Sequence, residues 1–172
     1  MAGKLAIQQV NALDAAEFER RLGPVFENAP WIARRAAGRR PFASRDDLHR
    51  AMLDVIAEAR DDERLALLHG HPDLAGKAAI AGELTADSRR EQQGAGLDRL
   101  TAAEYETFHG LNRRYREKFG FPFILAVKGK TKHDILAAFA ARIDRDPLVE
   151  RREAVEQVGR IGGFRLADIV LD

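Results

Sequence analysis

One heptapeptide constrains this chain more than any other feature. Phe121-Pro122-Phe123-Ile124-Leu125-Ala126-Val127 is the only run among the 172 residues that reads as a strand. It is continuously apolar, so it is expected to be buried on every side. No second run of that kind exists to pair with it, and a lone strand cannot build a sheet. We therefore read it as an extended connection inside a helical protein. A buried extended segment must still satisfy its backbone groups, and a polar ligand is one candidate partner.

The remaining sequence carries helical signals at regular intervals. Asp14-Ala15-Ala16-Glu17 has capping-box spacing, and Gly23-Pro24 closes the short helix it opens. Pro24 and Pro30 each suit a helix start, the second leading Trp31-Ile32-Ala33 toward Gly38. Trp31, the only tryptophan, reads as a core or interface anchor. Ser44 caps a helix whose Leu48, Met52, Val55, Ile56 and Ala59 form one apolar stripe. Asp61-Asp62-Glu63 opens another, with acids where the helix dipole favours them. Residues 78–87 are rich in small side chains and read ambiguously. Ser88 is expected to cap a short helix carrying Glu91 and Gln92, ended by Gly94 and Gly96.

Thr101 through Glu104 is a further capping box, opening a helix with Tyr105, Phe108, Asn112, Tyr115 and Phe119 about one face and Gly120 as its stop. Thr131 and Asp134 frame the next start, followed by Ile135, Leu136, Phe139 and Ile143. Asp146-Pro147 begins the last and longest helix, with Val155, Val158, Gly162, Arg165 and Ile169 as its stripe. Arg165 thereby falls on an inward face. With no repeat, linker or low-complexity segment, the expectation is a single all-α domain over residues 1–172. It would be a bundle of about eight to ten helices with one buried extended connection.

Composition narrows the function. A formal charge of +1, with basic pairs scattered among acids, gives no footprint for nucleic acid. The absence of cysteine removes disulfides, thiolate nucleophiles and cysteine-based zinc sites. No apolar run approaches the roughly 20 residues of a membrane span, and no secretory signal pattern opens the chain. A cytoplasmic protein is expected.

The chemistry-bearing stretch is His69-Gly70-His71-Pro72-Asp73-Leu74. Gly70 is expected to stop a helix by taking φ > 0, and Pro72 biases His71 toward extended backbone. A histidine fixed between the two is rigidly presented, as a proton-transfer group should be. A structural loop histidine would look the same. Glu91, three residues after Ser88, could merely complete a capping box, and Arg165 could pair with an acid. His49, His109 and His133 read as surface or packing residues. A competing reading takes His69, His71 and Asp73 as ligands of a hydrolytic metal, because His-x-His-x-Asp resembles the start of the metallo-β-lactamase pattern. Leu74 stands where that pattern needs a histidine, and the segment follows a helix instead of a strand. A helical interaction module without chemistry is the third reading.

Several blocks together resemble the 2-oxo-4-hydroxy-4-carboxy-5-ureidoimidazoline (OHCU) decarboxylase family. They are Phe26-Glu27-Asn28-Ala29-Pro30-Trp31-Ile32-Ala33, His71-Pro72-Asp73-Leu74-Ala75-Gly76, and Ser88 through Gln92 into Ala95-Gly96-Leu97. Asn112, Tyr115, Lys118-Phe119-Gly120-Phe121-Pro122-Phe123-Ile124, Arg142-Ile143 and Arg165-Leu166 complete the set. The resemblance implies an all-helical, cofactor-free enzyme of urate breakdown that yields (S)-allantoin and works as a homodimer; charge and hydropathy add the expectation of no nucleic-acid or membrane partner. It casts His71 as catalytic histidine, Glu91 as active-site carboxylate and Arg165 as the arginine that binds substrate. Pro72, Ser88, Arg89, Arg90 and Gln92, with Phe123, Ile124, Leu125, Ala126 and Val127, would line the ligand. Gly70 replaces a more usual alanine, and Gly162-Gly163 weakens the helix ahead of Arg165.

Overall fold

The computed structural model describes residues 3–172, apart from the side chains of Ala78 and Ile80. The described residues form α1 (Ile7–Ala12), α2 (Ala15–Leu22), α3 (Pro30–Ala36), α4 (Arg45–Glu58) and α5 (Asp61–His69). There follow α6 (Lys77–Ala81), α7 (Ala86–Gly94), α8 (Ala102–Phe119), α9 (Lys132–Arg142) and α10 (Pro147–Ile169). Among the described residues, β structure amounts to one isolated bridge between Leu5 and Val170, so the chain is all-α as expected. None of these helices is long and apolar enough to cross a membrane. The fold divides into two compact units, Met1–Gly70 with Gly159–Asp172, and His71–Val158. No linker marks the division in the sequence, because one boundary is the Gly70–His71 bond and the other lies inside α10.

In the first unit the expected caps are present. The Asp14 carboxylate accepts the Glu17 N–H at 2.8 Å, and Ser44 Oγ accepts the Asp47 N–H at 3.1 Å. Glu17 does not return to close a box. It binds Arg20 and Arg21 instead, and their hydrogen bonds hold its carboxyl down at about 2. Leu48, Met52, Val55, Ile56 and Ala59 are all buried, as their spacing requires. Each of the four larger side chains contributes roughly 1.5–3 kcal/mol. Trp31 is only half-buried and lies 4.7 Å beneath the Arg35 guanidinium, so it is not a core anchor. Helix α1 has no counterpart in the sequence reading. Its Ala6 start offers no capping oxygen, and the Gln9 side chain accepts the Ala6 N–H from inside the helix at 2.8 Å.

The glycines of α10 prove to be packing devices. A Cβ on Gly162 would stand 2.6 Å from two carbons of the Phe26 ring, and one on Gly159 would stand 2.8 Å from Leu53. Gly163 faces the His49 ring, whose Nε2 lies 2.9 Å from the Gly159 carbonyl oxygen. Glycine in a helix interior costs about 1 kcal/mol relative to alanine. Here the close approach outweighs that cost, since the Phe26 ring is buried and has little room to retreat. Gly162→Ala is expected to destabilise the protein by about 1–3 kcal/mol, an overpacking cost that exceeds the propensity gain. Urea denaturation of the variant measures the difference.

The second unit is built around α8. Thr101 and Glu104 form the expected reciprocal box, and Gly120 ends the helix in the left-handed region at φ 79°. Phe108, Asn112 and Tyr115 are its buried face. The Phe123 ring stacks on Phe139 with centroids 3.7 Å apart, and Tyr115 meets Phe123 edge-on at 5.2 Å. Two local expectations need correction. Helix α7 is capped by Thr85, whose hydroxyl accepts the Ser88 N–H at 3.3 Å, so Ser88 sits inside the helix. The inward face of α10 in this unit carries Glu150, Ala154, Gln157 and Val158, with Val155 only half-buried. The sequence stripe thus holds at Val158, Gly162 and Arg165 and fails at Val155. Ile169 is likewise only half-buried.

Candidate active site

His71 is buried in the loop that opens the second unit. The loop is fixed by side chains from α7 and α8. Gln92 accepts the Ala75 N–H at 2.9 Å through Oε1 and donates to the Asp73 carbonyl at 3.2 Å through Nε2. Asn112 donates to the Leu74 carbonyl at 2.8 Å, and Arg116 Nε donates to the Asp73 carboxylate at 2.8 Å. Ala75 holds φ at 53°, a left-handed conformation that costs a non-glycine residue roughly 1–2 kcal/mol. The Gln92 acceptor on its amide helps to sustain that strain. The Arg116–Asp73 pair is part-exposed and contributes at most about 1 kcal/mol. The buried Gln92 amide matters more, since its loss would strand the buried Ala75 N–H at about 1–3 kcal/mol.

Gly70, which precedes His71, does not behave as expected. Its φ is −67°, within the right-handed region. Its lack of a side chain serves packing, because a Cβ there would lie 3.3 Å from the Glu27 carbonyl oxygen. Asn28 supplies the positive φ nearby, at 52°, and its side chain donates to the Gly70 carbonyl at 2.9 Å.

Helix α7 brings Ser88, Glu91 and Gln92 into the same unit as His71. Ser88 and Gln92 are buried and Glu91 is half-buried. Since Thr85 is the cap, a capping-box role for Glu91 falls away. Arg89 and Arg90 are exposed, and both have structural partners. Arg89 donates to the Gly82 carbonyl at 2.9 Å, tying down the turn before α7, while Arg90 pairs with Asp87. Pro72 is half-buried. A cavity of about 400 Å³ in this unit is lined by Ala75, Leu84, Arg89, Gln92, Leu97 and Tyr105, among others, but by neither His71 nor Glu91.

The segment from Phe121 to Val127 is extended and buried throughout, as the sequence demanded. Two of its backbone groups are taken by side chains. Arg142 Nη1 donates to the Ile124 carbonyl at 2.8 Å, and Gln157 Oε1 accepts the Ala126 N–H at 3.0 Å. The N–H groups of Leu125 and Val127 meet no acceptor among the described residues.

Arg165 belongs to the first unit, and it is buried there as expected. Its Nη1 lies 2.7 Å from Oε2 of Glu27, itself buried. The glycines place Arg165 well: α10 seats against Phe26 at Gly162, one turn before the arginine reaches the following residue, Glu27. Glu27 was not singled out as a site residue from sequence, although it lies within one of the family-like blocks. The ligand set His69, His71 and Asp73 is not assembled: His69 is exposed, His71 is buried, and the Asp73 carboxylate is engaged by Arg116. Among the described residues no group of three or more His, Asp or Glu is arranged to hold a metal.

Comparisons with known proteins agree with this fold and these blocks. A crystal structure of (S)-allantoin synthase superposes with a TM-score of 0.78 at 30% identity, covering 96% of this chain and 54% of that one. The 2-oxo-4-hydroxy-4-carboxy-5-ureidoimidazoline decarboxylase of Haloferax volcanii is 42% identical over 165 residues, 96% of either chain. The bifunctional uric acid degradation protein PucL of Bacillus subtilis is 44% identical over 166 residues; the match spans 96% of this chain and 33% of that protein. The class these similarities define is that of a helical carboxy-lyase. Residues 11–167 match the OHCU decarboxylase family, and the chain belongs to it. Relatives from Haloferax volcanii and Halalkalicoccus jeotgali bear the name of that decarboxylase.

Proposed function

We propose that the chain converts OHCU to (S)-allantoin without a cofactor, with His71, Glu91 and Arg165 as its working side chains. The observation that carries this reading is the fixation of the His71 loop. Three consecutive residues, Asp73, Leu74 and Ala75, are each gripped by a side chain from α7 or α8. A buried imidazole on so constrained a loop is built for proton transfer in one orientation.

Loss of CO₂ leaves an electron pair, and the adjacent C=N of the ureido-imidazoline ring can accept it. No pyridoxal, thiamine or metal is then required. In this reading His71 assists the proton on the ring hydroxyl and helps to deliver a proton to one face of the carbanion. Glu91 orients and polarises His71 or holds the ureido N–H groups. Arg165 takes its role from the family resemblance. A grip on the departing carboxylate would stabilise the ground state, so its charge is better spent on oxygen that becomes more negative as CO₂ leaves. The free amides of Leu125 and Val127 offer donors to ring carbonyl and ureido oxygens. Pro72, Ser88, Gln92 and the Phe123–Val127 backbone line the ligand. Arg89 and Arg90, exposed and structurally engaged, fit a supporting role better. A homodimer in the cytoplasm belongs to the same reading, on the strength of the family resemblance.

The test is to add freshly generated OHCU to metal-depleted protein and follow circular dichroism. A growing (S)-allantoin signal, faster than spontaneous decay and indifferent to chelator, is expected. Racemic product at the spontaneous rate, or activity that returns only with added metal, would overturn the proposal.

A further inference from the structure

Behind the extended segment lies a buried polar cluster that the proposed chemistry does not use. Helices α8, α9 and α10 each send one side chain to it. Tyr115 donates its hydroxyl to Oε1 of Glu150 at 2.5 Å, and Arg142 Nε donates to the same oxygen at 2.8 Å. Glu150 is fully buried and Arg142 nearly so. Burial and the neighbouring carboxylate push the Tyr115 phenol well up, so it remains a donor at any working pH. Arg142 Nη2 lies 2.5 Å from Oε1 but off the hydrogen-bond direction, and Oε2 of Glu150 has no hydrogen-bond partner among the described residues.

Such a cluster is a poor way to gain stability. Desolvating a guanidinium and a carboxylate costs several kcal/mol, and apolar replacements of similar volume commonly do as well or better. What apolar side chains could not do is hold a backbone carbonyl. Arg142 spends Nη1 on the Ile124 carbonyl and lays its guanidinium 4.4 Å from the Phe123 ring centroid. Two turns beyond Glu150, Gln157 accepts the Ala126 N–H, and its own amide nitrogen donates to Glu153 at 2.8 Å, which fixes the side-chain orientation. The two grips fall on either side of Leu125. The first fixes the peptide plane that carries the Leu125 N–H; the second fixes the next plane and so restrains Ala126, whose carbonyl shares a plane with the Val127 N–H.

We infer that Arg142, Glu150, Tyr115 and Gln157 are positioning residues, a scaffold that sets the 123–127 backbone so that its free amides meet the ligand's oxygen atoms. The inference rests on the reading of that segment as ligand-binding. None of the four is required to touch the substrate.

The experiment titrates isotope-labelled full-length protein with (S)-allantoin and follows the backbone amide resonances of Leu125 and Val127, alongside steady-state kinetics on OHCU. In the unmodified protein both amides are expected to shift on binding. Gln157→Leu removes the Ala126 acceptor. It should weaken product binding and raise KM by about tenfold, the worth of one lost buried hydrogen bond, with a smaller change in kcat. If Gln157→Leu does not fold, the shorter Gln157→Asn carries the same expectation. A folded Leu or Asn variant with unchanged KM and unchanged amide shifts overturns the scaffold while leaving the ligand reading intact. Amides that stay unmoved in the unmodified protein overturn the ligand reading, and the scaffold with it.

Discussion

Glu27→Ala is expected to lower stability by about 3–5 kcal/mol, the cost of removing one partner of a buried ion pair, and to lower the melting temperature by roughly 6–20 °C for a chain of this size. The carboxylate it removes lies 2.7 Å from Arg165 Nη1, and both side chains are about 95% buried. A surface pair at that distance would contribute at most about 1 kcal/mol, because water would solvate whichever partner remained. At Arg165 the remaining guanidinium keeps its burial and loses the Glu27 carboxylate. Thermal unfolding followed at 222 nm reads the loss. The double variant Glu27→Leu with Arg165→Met separates stability from function. Replacing both charges by apolar groups should recover most of the melting temperature. If Arg165 also serves the reaction, decarboxylation stays lost in the recovered protein. A double variant that regains both would reduce the pair to a structural element.

That pair also illustrates what the sequence can and cannot tell. The inward aim of Arg165 was legible from the periodicity of α10, since a residue three positions beyond Gly162 must share its face. Its partner was not legible, because Glu27 is 138 residues away and local pattern says nothing about such pairings. The two glycines before Arg165 read as weak points on propensity alone. They proved to be contact points, where a Cβ would strike Phe26 or His49. Propensity describes an isolated helix and is blind to what packs against it.

The same division runs through the second unit. The caps at Thr101 and Thr131 and the αL stop at Gly120 depend on neighbours within four residues, and the sequence displayed them. At α7 the cap expected at Ser88 falls to Thr85, three residues earlier, inside the stretch of small residues that read ambiguously. The extended segment was readable because nothing in the chain could pair with it. Its supports, Arg142 and Gln157, come from helices 18 and 31 residues downstream of the backbone groups they hold. Gly70 failed for the same reason as Gly162: the demand for glycine comes from Glu27, not from the helix end.

His71→Ala should produce the largest functional change, a fall in kcat of about 10²–10⁴-fold together with loss of stereochemical control. Rate alone would not establish the role, because a truncated buried side chain can also loosen the loop around it. Stereochemistry discriminates. Spontaneous decay of OHCU gives racemic allantoin, so a site that still binds but no longer delivers the proton should release product with little enantiomeric excess. The melting temperature of the variant, measured alongside, shows whether the Gln92, Asn112 and Arg116 grips still hold the loop. Added free imidazole should restore part of the rate, since it can enter the space vacated by the side chain. It should restore less of the enantiomeric excess, because an unattached base approaches from no fixed direction. A well-folded His71→Ala protein that still makes (S)-allantoin at an undiminished rate would exclude the imidazole from the proton transfer and move attention to Glu91.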